Sequence, residues 1–227
     1  MLTQQSSRHR LGVGDILDGT WEVLWRRPLD FLAVGLLSVA TARLVDRPAG
    51  GEADLAWLLL YPWLFLLGLV LSGYWSMAAA WLVERTVLGE RRRLPGALVV
   101  ALAATPRYLP VLLLALVILL GLSLLLVVPG VVQSVYYTFA MQVVVLRQGR
   151  GKGALDRSKA LVRGRWWRVL GMNVLLSLPY FLAALLGDQL PGSLPVATAI
   201  MLLKAVTSAF WLVCLTLLFL DLDSLRS

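Results

Sequence analysis

The side chains that could carry out chemistry are few in this sequence. It contains a single histidine, His9, and a single cysteine, Cys214, so neither an intrachain disulfide nor a site that needs two imidazoles can form within one chain. It has no zincin motif, no serine-centred nucleophile elbow and no pair of carboxylates within an apolar segment. The sequence therefore predicts no catalytic residue, no metal site and no cofactor.

One lysine lies deep inside an apolar run. Lys204 is about 12 Å along a helix from the start of the run 196–220, and Thr207 follows on the same face. An ionisable residue inside a membrane span is a candidate functional residue. The alternative is that the Lys204 side chain extends to the outer head groups, near Asp188. The sequence leaves both interpretations open.

A second group of polar residues lies in the segment 131–146 and in the segment that follows it. Gln133 and Tyr137 belong to the first, and Asn173 could meet them from the second. With Lys204 and Thr207, these residues form a predicted intramembrane polar site, which could be a cavity or a substrate path. The alternative is a set of hydrogen bonds that holds the helices together.

The segment 151–168 has apolar residues at helical spacing on one side and basic residues on the other. Such a segment is typical of a helix in the head-group region of a membrane, where basic side chains attract anionic lipids. The segment 13–27 is also amphipathic, but acidic residues lie opposite its apolar side: Asp15, Asp18 and Glu22. The candidate site for anionic lipid comprises Lys152, Arg157, Lys159, Arg163, Arg165, Arg168, Trp166 and Trp167.

The composition indicates what positions these residues. The chain has 227 residues, of which 59% are hydrophobic and 15% charged, and its mean hydropathy is +0.79. These values predict an all-α, polytopic membrane helical bundle with amphipathic interfacial helices on the cytoplasmic side. The expected spans are 29–45, 55–83, 108–128, 131–146, 169–187 and 196–220, with a tight hairpin at Pro129-Gly130.

The basic residues predict the orientation of these six spans. Of the 21 lysines and arginines, all but Arg43, Arg47 and Lys204 fall in segments that are cytoplasmic if the N-terminus is cytoplasmic. We therefore expect an inner (plasma) membrane protein of bacterial type with both termini in the cytoplasm. This distribution also explains the net charge of +8 without a nucleic-acid partner.

The chain can be divided into three similar units within one membrane domain that covers 1–227. Each unit would be an interfacial helix followed by two spans, over 13–84, 92–146 and 151–220. The first and third units superpose with Asp18 on Asp156 and Arg27 on Arg165. Such a repeat predicts units related by rotation about the membrane normal.

The segment 129–170 also carries a recognisable pattern: a Pro-Gly pair, a valine-rich run and a basic helix. The residues that match are Pro129, Gly130, Val143 to Leu146, Arg157, Ser158, Leu161, Val162, Gly164 and Trp167. This pattern resembles the membrane-domain family named after glycerophosphoryl diester phosphodiesterases. The opening VGDILDGTWEVLWRRP and the closing FLDLDSLR are similar to the ends of that family's domain.

The sequence also departs from that family. Tyr136, Gln142 and Arg147 stand where the family often has arginine, proline and glutamate, and Lys159 stands where it has tryptophan. The family's enzymatic activity belongs to a separate soluble barrel, and this chain contains none. The resemblance therefore implies a stand-alone membrane module.

Three functions are compatible with these observations. The first is a non-enzymatic structural or accessory subunit in envelope or lipid-associated processes, with anionic lipids on the cytoplasmic side and a partner membrane protein or a second copy of the chain. The second is a transporter or permease component for a lipid-like or amphipathic solute. The third is an intramembrane enzyme. The position of Lys204 discriminates between the first two, since a lysine in a closed polar cavity with Gln133 or Asn173 would favour transport.

Overall fold

The computed structural model describes residues 12–45, 55–90, 93–125, 127–189 and 194–225. These residues form α-helices and no β-strand, which confirms the predicted all-α class. The helices are α1 (Val13–Arg26), α2 (Pro28–Val45), α3 (Leu55–Val87), α4 (Leu94–Leu125), α5 (Val127–Tyr136), α6 (Ala140–Leu146), α7 (Gly151–Val162), α8 (Trp166–Gln189) and α9 (Leu194–Ser224).

Four helical stretches in the described part of the chain are long and apolar enough to cross a membrane. They are Leu59–Val87, Leu94–Ser123, Val128–Leu146 and Pro195–Ser224. Their length and composition support a membrane protein, as the sequence predicts. The longest helix, α3, has 33 residues and extends about 50 Å, which exceeds the ~30 Å hydrocarbon core of a bilayer.

The helices α2 and α8 correspond to the predicted spans 29–45 and 169–187, although neither is among the four stretches above. Both pack along α9, and α2 also packs along α3. A glycine permits the closest of these approaches: a Cβ atom at Gly35 would overlap the backbone carbonyl of Ala205 in α9. Neither helix is therefore a surface appendage of the bundle.

The middle of the chain differs from the predicted pattern. The segment 94–107, which takes the place of the interfacial helix in the middle unit 92–146, continues into the span 108–128 as the single helix α4. The buried Tyr108 lies at the expected boundary and donates a hydrogen bond to the Leu69 carbonyl at 3.1 Å. This contact packs the boundary against α3, so the prolines on either side of it, Pro106 and Pro110, do not end the helix.

The predicted hairpin between the third and fourth spans is present, but it lies slightly earlier than expected. A Cβ atom at Gly130 would be 3.3 Å from the Cα atom of Ser123, so the chain reverses direction between α4 and α5. Pro129 and Gly130 lie in the first turn of α5 rather than in the connection. Proline is tolerated there because the first N–H groups of a helix have no intrahelical partner.

The two amphipathic segments form helices, and each packs on the bundle. The helix α1 buries Ile16, Thr20 and Val23 and contacts α9, while Trp21 and Trp25 on its other side are exposed. The helix α7 packs with its apolar side on α4, α5 and α6. The apolar side of α7 therefore contacts protein, and its basic side remains open.

Candidate functional site

Charged side chains gather at one end of the bundle. The guanidinium group of Arg147, directly after α6, donates hydrogen bonds to Glu84 of α3 at 2.9 Å and to Asp223 of α9 at 2.7 Å. Arg157 of α7 binds the other oxygen of Asp223 at 3.1 Å, and Arg168 of α8 binds Asp221 at 3.3 Å. We call this end, defined by Glu84, Arg147, Arg168 and Asp223, the charged end.

Arg147 is the centre of this network. Burial alone would lower the pKa of its guanidinium, but the hydrogen bonds to Asp223 and Glu84 raise that pKa above its ordinary value. The side chains of Glu84 and Asp223 are only 15% and 13% exposed, so each needs a positive partner. Arg147 supplies it to both, and its guanidinium also lies 5.9 Å from the centre of the Phe219 ring.

The N-terminal end of α2 lies beside the C-terminal end of α3, near the charged end. Arg27, directly before α2, donates a hydrogen bond to the Glu90 carbonyl at 2.9 Å. The Glu90 carboxylate binds Arg85 of α3 at 2.8 Å. The N-terminal end of α2 is thereby fixed beside the C-terminal end of α3, so these two helices run antiparallel.

The predicted anionic-lipid site divides into two groups of residues. Arg157 and Arg168 are engaged in the ion pairs of the charged end, and Trp166 donates its indole N–H to the Val132 carbonyl at 3.3 Å. The other five have no ion pair among the described residues: Lys152, Lys159, Arg163, Arg165 and Trp167. Arg165 is half-buried and the other four are exposed, and Lys159 lies over the ring of Tyr136.

The fourth predicted span is interrupted. Helix α5 ends at Tyr136 and α6 begins at Ala140, which leaves backbone groups without helical partners. Ser158 of α7 meets them: its hydroxyl donates to the Tyr136 carbonyl at 2.7 Å and accepts from the Phe139 N–H at 3.2 Å. Ser158 is completely buried, so α7 completes the hydrogen bonding of the interrupted span.

The five residues of the predicted polar site lie in two places. Tyr137 belongs to the interruption between α5 and α6, and the side-chain amide of Asn173 reaches Thr138 there at 3.5 Å. Gln133 is half-buried on α5. In the described part of the chain, no hydrogen bond joins Lys204 to Gln133 or Asn173. Lys204 is half-buried on α9, and the side chain of Asp188 lies outside the described residues.

Thr207 lines a separate cavity of about 330 Å³ between α2, α3, α8 and α9. Its wall is rich in hydroxyl groups, and none of its lining residues is charged. Ser38 and Thr41 come from α2, Ser72 from α3 and Tyr180 from α8. The Trp75 indole N–H donates to the Thr41 hydroxyl at 2.8 Å. The structure thus places Thr207, but not Gln133 or Asn173, at the edge of a cavity.

Sequence reasoning did not identify the Arg147 network, Ser158 or the cavity. Arg147 is one of the basic residues that predict the orientation and one of the departures from a family pattern, but neither observation indicates its partners, although a single acid, Glu84, ends the long apolar run of α3. Ser158 lies on the apolar side of α7, and a polar residue on an apolar face can indicate a buried hydrogen bond. The cavity had no signal, because its hydroxyl groups come from four separate helices.

The described residues contain no group of three or more histidine, cysteine, aspartate or glutamate side chains that could hold a metal ion. Compared with models of known protein families, with curated proteins and with solved structures, the chain shows no match.

Replacing Ser158 with alanine tests its role at the interruption. The S158A variant leaves the Tyr136 carbonyl and the Phe139 N–H without their partner, and unsatisfied buried groups cost about 1–3 kcal/mol each. We expect a lower thermal unfolding temperature in detergent, measured by tryptophan fluorescence. The control S134A removes an exposed hydroxyl that bonds only within its own helix. Equal unfolding temperatures for the two variants would contradict this role.

A double-mutant cycle tests the centre of the charged end. We expect a coupling free energy of about 1–3 kcal/mol between R147Q and D223N, because both side chains are largely buried and joined by a short ion pair. The matched cycle of R157Q with D223N should give a smaller coupling, because Arg157 is 48% exposed. Chemical unfolding in detergent measures both, and a larger coupling for the Arg157 pair would disprove the assignment.

Proposed function

We propose that the chain is a six-span membrane protein with both termini in the cytoplasm. One observation supports this topology above the others. The charged end collects the C-terminal ends of α3, α6 and α9 and the N-terminal end of α8. These are the segments that the distribution of basic residues places in the cytoplasm. Six basic residues of that distribution lie outside the described residues, at positions 8, 10, 47, 91, 92 and 226.

The lengths and neighbours of α2 and α8 support their role as the two additional spans. They have 18 and 24 residues and extend about 27 Å and about 36 Å, close to the ~30 Å of a bilayer core. Both start at the charged end and pack along α9, which is apolar enough to cross. A helix packed along a span in this way shares its depth in the membrane.

In function, we propose a non-enzymatic module that binds anionic lipid at the charged end and serves as a structural or accessory subunit in envelope or lipid-associated processes. The observation that carries this proposal is the basic surface of Lys152, Lys159, Arg163, Arg165 and Trp167. Basic side chains near anionic head groups contribute about 1 kcal/mol each, and an exposed tryptophan favours the interface. The family resemblance of 129–170 agrees with such a module and stays a prediction.

Cysteine labelling in intact cells tests the six-span topology. In the full chain with C214A, we expect A49C and S193C to react with a membrane-impermeant maleimide, because the proposed topology places both positions on the outer side. The control R150C, at the charged end, should react only after the cells are permeabilised. If α2 did not cross the membrane, the loop at 46–54 would lie on the same side as the charged end. Protection of A49C in intact cells would therefore contradict the topology.

Lipid retention tests the proposed function. We expect the triple variant K152Q/R163Q/R165Q to retain at least tenfold less phosphatidylglycerol after detergent purification, measured by native mass spectrometry, since each charge contributes about 1 kcal/mol. The matched control R43Q/R47Q/K204Q removes three charges from the outer half of the protein and should retain phosphatidylglycerol as the parent does. An equal loss in both variants would show general charge attraction and would exclude a site on the basic surface.

A further inference from the structure

The cavity between α2, α3, α8 and α9 lies at the middle of two helices that are long and apolar enough to cross a membrane, α3 and α9. Ser72 lies near the midpoint of α3, which is Leu55–Val87, and Thr207 and Trp211 lie near the midpoint of α9, which is Leu194–Ser224. In a membrane, this position corresponds to the hydrocarbon core. A ligand would therefore enter from the lipid phase or from between the helices.

The hydroxyl groups around the cavity are of two kinds. Thr41, Ser177 and Thr207 donate their protons to backbone carbonyls of their own helices, at 2.8, 2.9 and 3.0 Å. These three hydroxyls can only accept hydrogen bonds from a ligand. The other four form no hydrogen bond with another described residue, so their protons are available as donors: Ser38, Ser72, Tyr180 and Ser208.

The wall contains no charged residue, and this limits the ligand further. A phosphate or an ammonium group would lose its hydration in the cavity without meeting an opposite charge, which is costly. An ester carbonyl or a hydroxyl oxygen, in contrast, matches the free donors. Val39, Leu176 and Trp211 complete the wall and offer apolar contact to methylene groups.

We propose that this cavity binds the uncharged glycerol-ester region of a neutral lipid such as diacylglycerol, with Ser38, Ser72, Tyr180 and Ser208 as hydrogen-bond donors to its oxygens. The volume of about 330 Å³ lies at the lower end of the ~300–1,000 Å³ of small-molecule sites. It suits the polar centre of such a lipid, whose acyl chains would extend between the helices into the bilayer. This site goes beyond the proposed function, because it takes a different lipid at a different depth.

Photolabelling of the full-length protein in detergent with a diazirine-bearing dioleoylglycerol tests the site. We expect label on peptides of α2, α8 and α9, and competition by unlabelled dioleoylglycerol but not by phosphatidylglycerol. The variant S38A/Y180F/S208A removes three donors and should lower the labelling at least tenfold. The control S134A/Y137F removes one serine and one tyrosine hydroxyl outside the cavity, from α5 and from the interruption that follows it, and should label as the parent does.

A second variant keeps the test independent of the hydroxyl groups. A42L places a larger side chain at a residue that lines the cavity and should also abolish the label while the protein remains monodisperse. Unchanged labelling in both cavity variants would overturn the proposal, as would equal competition by phosphatidylglycerol. Since the phosphatidylglycerol retention assay depends on Lys152, Arg163 and Arg165, a negative result there leaves the outcome of this experiment unaffected.

Discussion

The bridge that Arg147 forms between Glu84 and Asp223 is the interaction on which the arrangement of this bundle depends. Apolar helices in a membrane gain little by packing their apolar surfaces together, since lipid chains solvate them equally well. Directional contacts must therefore fix which helices are neighbours. Arg147 lies between α6 and α7, and its two carboxylate partners belong to α3 and α9. One side chain thus joins three distant segments of the chain at the charged end.

The sequence predicted the helices better than their contacts. Apolar runs indicated the all-α class and the helix at 29–45, where α2 extends from Pro28 to Val45, and helical periodicity indicated the amphipathic helices α1 and α7. These features depend on local composition, which can be read along the chain. The continuation of 94–107 into the span 108–128 was not predicted: Tyr108 at the junction bonds to α3, and such a tertiary contact cannot be read along the chain.

In the candidate sites, too, local composition indicated which residues are polar but not which of them are in contact. The basic residues of α7 were predicted from helical periodicity, but the periodicity could not tell Arg157, which binds Asp223, from Arg163, which has no ion pair among the described residues. Lys204 and Asn173 were grouped because both are polar in apolar runs, yet no hydrogen bond joins them in the described part of the chain. Which polar residues meet depends on helix rotation, and a single sequence carries no information on that rotation.

The interruption between α5 and α6 has a consequence for biosynthesis. The backbone groups at Tyr136 and Phe139 receive their hydrogen bonds from Ser158, which follows Phe139 by 19 residues. During translation, therefore, this segment leaves the ribosome before its partner does. Unpaired backbone groups are costly in lipid, so these groups need other partners, such as water, until α7 docks. The hydrogen bonding of the interrupted segment is thereby coupled to the synthesis of α7.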